Sequence, residues 1–164
     1  MATTTSAATT VTAPRVDYQQ FHKAVPEFAT AMAAIDHALK KSSIEPEIRE
    51  MVKIRASQLN GCAFCIQFHL NDARKEGISA EKLDLLAAWR EAGIYSEREA
   101  AALEWTERVT LMAAQHIEDE AFERVKARFT ETELALLTVA ISQINAWNRI
   151  AAPLRFPPPI PGAA

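Results

Sequence analysis

Residues 50–69 read EMVKIRASQLNGCAFCIQFH: a helix-forming run, a stop at Asn60-Gly61, and a second run that opens on two cysteines. Upstream, Pro46 suits the first turn of a helix, where its missing N–H costs nothing. Ile48, Met51, Val52, Ile54 and Leu59 then carry the apolar face as far as the Asn-Gly terminator. Downstream, the cysteine helix runs to Gly77, a good C-terminal cap. A helical hairpin is predicted, with Cys62 and Cys65 at its bend.

The same signals continue in both directions. Between Asp17 and Lys41, Phe21, Val25, Phe28, Met32, Ile35 and Leu39 recur at helical spacing, with Pro26 a break or first-turn residue. Ser79 can cap a helix through Leu83, Leu86 and Trp89 that ends before Gly93. Ser96-Glu-Arg-Glu99 and Thr130-Glu-Thr-Glu133 both match the capping box, opening helices to about Gln115 and about Ala152. A shorter helix spans Asp119 to Arg128. The expectation is an all-α, single-domain fold of seven to eight helices over 15–152, without a convincing strand. A Thr/Ala/Ser-rich arm (1–14) precedes it and a Pro-rich, non-helical tail (153–164) follows.

Composition narrows the function. Apolar residues make up 49% of 164, enough for one core without disulfides or structural metals. The net charge of -3, with acids and bases interleaved, offers no stripe for nucleic acid and no polybasic patch for a membrane. With no eighteen-residue apolar run and no secretory leader, a cytoplasmic protein is expected. Two cysteines three apart cannot build the disulfide framework of a secreted mini-protein, so they read as reactive or ligating.

Each spacing in the cysteine segment has a chemical use. Thiols in the first turn of a helix meet unpaired N–H groups and the positive end of the dipole, which favour thiolate. His69, one turn after Cys65 on the same face, can pass a proton to or from the sulfurs. Glu50, on the preceding helix, can be folded back beside His69 to orient it. From Cys-x-x-Cys chemistry alone, the first cysteine is usually the exposed one.

The set Glu50, Arg55, Ser57, Asn60, Cys62, Cys65 and His69 resembles the signature of the AhpD-like alkylhydroperoxidases, in the superfamily that includes the carboxymuconolactone decarboxylases. Residues 20–115 are similar to that family's core, and Asn145–Arg149 (NAWNR) to a single-domain branch of it. The resemblance implies a hydroperoxide reductase in which Cys65 attacks the peroxide and Cys62 closes a redox-active disulfide, while Glu50 and His69 relay protons. No other cofactor and no metal are implied. It further implies a dithiol reductant, a lipoyl or thioredoxin-like protein, and a homo-oligomer, trimer or hexamer. One departure stands out: some members carry a second histidine between the cysteines, where this chain has Phe64.

Competing assignments are a zinc site built from Cys62, Cys65, His69 and Glu50, a pair of cysteines acting as small hydrophobes, and a redox-sensing oligomer. Ring-opening decarboxylation, as in the superfamily's other branch, is a further one, although its members generally lack the cysteine pair. His22, His37 and His116 receive no role. Trp89, Trp105 and Trp147 read as core or interface anchors. Arg55 and Ser57 read as struts of the helix pair, Asn60 as a cap of the cysteine helix or a loop-positioning residue. Asn145, Asn148 and Arg149 read as an inter-subunit network.

Overall fold

The computed structural model describes residues 13–162. In chain order they form α1 (Tyr18–Ala24), α2 (Pro26–Lys40), α3 (Pro46–Leu59), α4 (Ala63–Lys75), α5 (Ala80–Asp84), a 3₁₀ turn (Leu86–Ala88), α6 (Trp89–Ala92), α7 (Glu97–Thr110), α8 (Asp119–Lys126) and α9 (Glu131–Leu154). The all-α expectation holds, with no strand among the described residues, but the α-helices there number nine where seven to eight were expected, because the runs at Pro26 and between Ser79 and Gly93 are each broken. None of these helices is long and apolar enough to cross a membrane. Most of the predicted 1–14 arm lies outside the described residues.

Helix α3 is the axis of the fold. It packs against α4, α7 and α9, and is therefore buried on nearly every side, including the polar Arg49, Glu50, Lys53 and Ser57. One face, with Ile48 and Val52, joins Trp105, Leu137 and Ile141 in one core cluster. The opposite face, with Met51 and Ile54, packs on Leu83, Leu86, Trp89 and Leu103. A third cluster gathers Ala56, Cys62, Phe64, Cys65, Ile144 and Phe156 around the bend of the hairpin.

Both predicted capping boxes form, at Ser96 with Glu99 and at Thr130 with Glu133. Pro26 does break the first run, and α2 begins on it. Three boundaries differ. The single helix expected from Ser79 to Gly93 is broken into α5, the 3₁₀ turn and α6. Its buried residues Leu83, Leu86 and Trp89 recur every three positions, and three residues per turn keep them on one face where 3.6 would let them drift. Helix α7 stops at Thr110, short of Gln115. Helix α9 runs through Pro153 to Leu154, two residues into the tail expected to be non-helical, with the Arg149 carbonyl left without its i+4 donor.

The tail beyond α9 is docked. Arg155 takes a left-handed conformation, φ 54°, and reverses the chain. Phe156 enters the third cluster, and Asn71 Nδ2 donates to the Pro159 carbonyl at 2.8 Å. At the other end of the chain, the N–H of Val16 donates to the Leu154 carbonyl at 3.2 Å, so both ends of the described chain meet beside the cysteines.

Candidate active site

The bend between α3 and α4 is built by two overlapping motifs. Gly61 is left-handed, φ 66°, and the N–H groups of Gly61 and Cys62 donate back to the carbonyls of Gln58 and Ser57 at 3.2 and 3.0 Å. This is the Schellman closure of α3. Cys62 is at once its last residue and the N-cap of α4, where its Sγ accepts the N–H of Cys65 at 3.4 Å. Two thiols are thereby placed at the positive end of a thirteen-residue helix. Both are free, and their sulfurs lie 2.6 Å apart.

Glu50 and His69, 19 residues apart in sequence, meet across the hairpin, with His69 Nδ1 2.8 Å from Glu50 Oε2. An ionised carboxylate only accepts, so Nδ1 carries the proton and Nε2 is left to exchange one. The other Glu50 oxygen lies 3.2 Å from Arg49 Nε and 3.8 Å from Lys53 Nζ. Burial pushes the Glu50 carboxyl up, but the His69 hydrogen bond and the charges of Lys53, His69 and Arg49 outweigh it, holding it below its usual range. Lys53 is only 1% exposed and donates to Asp36 on α2 at 2.7 Å.

The hydrogen bond from the Cys65 thiol, against burial, holds Cys62 down at about 7, helped by the Cys65 N–H, Asn148 and the Phe64 backbone. Cys65 is pushed up by that same thiol contact, by burial and by the negative charge of Cys62. The two sulfurs titrate as one unit, releasing one proton near neutral pH and sharing the other. Charge rests on Cys62, but access belongs to Cys65. Cys65 lines a cavity of about 150 Å³ together with His69, Lys53, Phe64, Phe68 and Trp147. Moving the shared proton across the sulfur contact transfers the negative charge to the thiol that faces the cavity.

These positions correct the expectations for Cys62 and for the network of Asn145, Asn148 and Arg149, and decide between the two for Asn60. Cys62 is not the exposed cysteine of the pair, since the Schellman turn tucks it under α9 at 1% exposure. Asn60 does not cap α4. Its Nδ2 donates to Asn145 Oδ1 and Asn148 Oδ1 on α9, at 2.9 and 2.8 Å. Asn145, Asn148 and Arg149 need no second subunit as partner: Asn148 Nδ2 donates to Ser57 Oγ at 3.0 Å, Asn145 Nδ2 to Thr110 Oγ1 at 3.0 Å, and Arg149 Nη1 to Asn145 Oδ1 at 2.9 Å. His22, given no role, is among the residues that line the cavity. Arg55 and Ser57 are struts, but toward α7 and α9, with Arg55 Nε donating to Glu107 at 2.8 Å.

Of the residues of the zinc alternative, Glu50 is bonded to His69, and among the described residues no three His, Cys, Asp or Glu side chains form a group that could hold a metal ion. Sequence reasoning missed Arg49, Lys53 and Asp36. Charges at positions 47, 49, 50, 53 and 55, interleaved with apolar residues all round α3, were the available signal for Arg49 and Lys53, since burial on all sides obliges such residues to pair.

Residues 26–108 match the carboxymuconolactone decarboxylase family. The uncharacterized protein YdfG of Bacillus subtilis (strain 168) is 42% identical over 131 residues, 80% of this chain and 89% of that one. A protein of unknown function from Agrobacterium tumefaciens, a candidate AhpD antioxidant defence protein, has the same fold at a TM-score of 0.84 and 38% identity, over 90% of this chain and 99% of that one. The debrominase Bmp8 shares the fold alone, at a TM-score of 0.76 and 19% identity, over 83% of this chain and 73% of its own. The chain belongs to the carboxymuconolactone decarboxylase family and has its AhpD-like helical fold.

Proposed function

We propose that this protein is a thiol-dependent hydroperoxide reductase that cycles between the Cys62, Cys65 dithiol and its disulfide. The observation that carries the proposal is the contact of two free thiols at a helix N-terminus, one of them opening onto a largely apolar cavity beside a carboxylate-oriented imidazole. The Cys65 thiolate attacks the terminal oxygen of the hydroperoxide, forming an S–O bond as the O–O bond breaks. The leaving oxygen departs as an alcohol with a proton from His69, which had accepted the thiol's proton. Cys62 then attacks the sulfenic sulfur, water leaves, and the disulfide closes.

An external dithiol must reopen the disulfide, and a lipoyl or thioredoxin-like protein supplies the needed chemistry. Exposed Phe28 and Ile35, with Val25 just before the helix, give α2 an apolar outer face suited to a homo-oligomer. The family name itself does not choose ring-opening decarboxylation, for which the thiol pair has no use. Bmp8, a debrominase, shows that one fold carries different reactions and that the site must decide.

The test is intact mass and turnover together. One equivalent of cumene hydroperoxide should remove two hydrogens from the reduced protein, and many equivalents should be consumed when a dithiol is supplied. One oxidation without turnover would make the protein a redox sensor instead.

A further inference from the structure

Every side-chain nitrogen and oxygen that is shut off from solvent among the described residues has a hydrogen-bond partner, with one exception, His22 Nε2. Its ring is held in place. It lies parallel to Trp147 of α9, at an interplanar angle of 7° and a centroid distance of 6.3 Å, and 4.2 Å from the ring of Tyr18. His22 is also among the residues that line the cavity of Cys65 and His69. Of the other polar side chains of that wall, Lys53 and Lys40 are engaged with Asp36, Asp72 with Lys75, Gln143 with the Met32 carbonyl and His69 with Glu50, while Tyr18 carries the wall's one hydroxyl. A buried imidazole nitrogen without a partner forfeits its hydration and receives nothing for it, unless a ligand completes the set.

Resting on the hydroperoxidase reading above, we infer that His22 is a second imidazole of the site, one that donates a hydrogen bond to the leaving oxygen of the bound hydroperoxide. Cys65 and His69 sit one turn apart on α4, so both approach the peroxide from the same wall, Cys65 at the oxygen under attack and His69 as the source of the leaving oxygen's proton. The oxygen that leaves must point away from the sulfur, in line with the breaking O–O bond, and is met by a group from a different wall. His22, on α1, is such a group. As sulfur bonds to the terminal oxygen, the O–O electron pair collects on the leaving oxygen, and an N–H from His22 stabilises that charge until the His69 proton arrives. Phe64 and Phe68, which also line the cavity, have no side-chain donor to offer.

The experiment compares wild type, His22→Phe and His22→Gln in single-turnover oxidation by cumene hydroperoxide, with iodoacetamide alkylation of the thiols as a parallel readout. His22→Phe should lower the second-order rate of oxidation on the order of 100-fold, the effect of removing one such donor, and leave alkylation unchanged. His22→Gln, which keeps an N–H, should recover most of the loss. Oxidation of His22→Phe at the wild-type rate overturns the inference, as does an equal slowing of oxidation and alkylation in both variants, which would make the ring a structural wall. Failure of the wild type itself to be oxidised would instead overturn the hydroperoxidase reading and this inference with it.

Discussion

Asn148 on α9 donates to Ser57 on α3 at 3.0 Å and accepts from Asn60 at 2.8 Å, tying the last helix to the turn that presents the thiols. Its amide also favours the Cys62 thiolate. Replacing Asn148 with Ala should raise the pH at which the first thiol ionises above the wild-type value of about 7. It should also cost about 1–3 kcal/mol, because Ser57 and Asn60 lose a buried partner. The pH profile of iodoacetamide alkylation and urea denaturation measure the two effects separately.

The cysteines should divide their labour by access. Cys65→Ser is expected to abolish peroxide consumption, since the remaining thiol does not line the cavity. Cys62→Ser should still be oxidised once and should stop at a sulfenic acid that a 1,3-diketone traps, seen as an adduct on Cys65 by mass spectrometry. An adduct-free, fully active Cys65→Ser protein would reverse the assignment.

Glu50 ties pH to stability. Its carboxyl is depressed in the folded protein, because the His69 hydrogen bond and the Lys53, His69 and Arg49 charges outweigh burial. A depressed carboxyl contributes stability that is present above its unfolded pKa of about 4.3 and lost as pH falls through the folded value. Glu50→Gln strands buried Arg49 and Lys53 with one counter-charge fewer and should cost about 3 kcal/mol at pH 7. That difference should shrink below about pH 4 as the wild type protonates. Denaturant midpoints across the pH range test the sign.

Gly61 carries a backbone constraint. Its φ is 66°, and a Cβ built there meets nothing within 4 Å, so Gly61→Ala pays for conformation and not for a clash. The expected loss is about 1–2 kcal/mol. Because the same turn supplies the Schellman bonds and the N-cap sulfur, the alkylation midpoint should rise with it.

Local chemistry made much of this legible in advance. The capping boxes at Ser96 and Thr130, the break at Pro26 and the stop at Gly61 act within four residues, so they survive folding unchanged. The helical hairpin follows from them, and with it the approach of Glu50 to His69. The segment from Ser79 to Gly93 misled because tertiary burial of Leu83, Leu86 and Trp89 overrode the regular helical period.

The sequence alone therefore determined an all-α fold and the placing of Glu50, Cys62, Cys65 and His69 on one helical hairpin, since each depends on residue type and short spacing. Only the tertiary structure decided which thiol meets the cavity, that Asn60 reaches back to α9 rather than capping α4, and that Lys53 is buried against Asp36. It also brought His22 of α1 into the wall beside Trp147. These contacts join helices up to 125 positions apart, between His22 and Trp147, and no local propensity encodes them. They follow from how α1, α2 and α9 close over the bend of one hairpin, where burial obliges polar groups to find partners, His22 Nε2 being the exception.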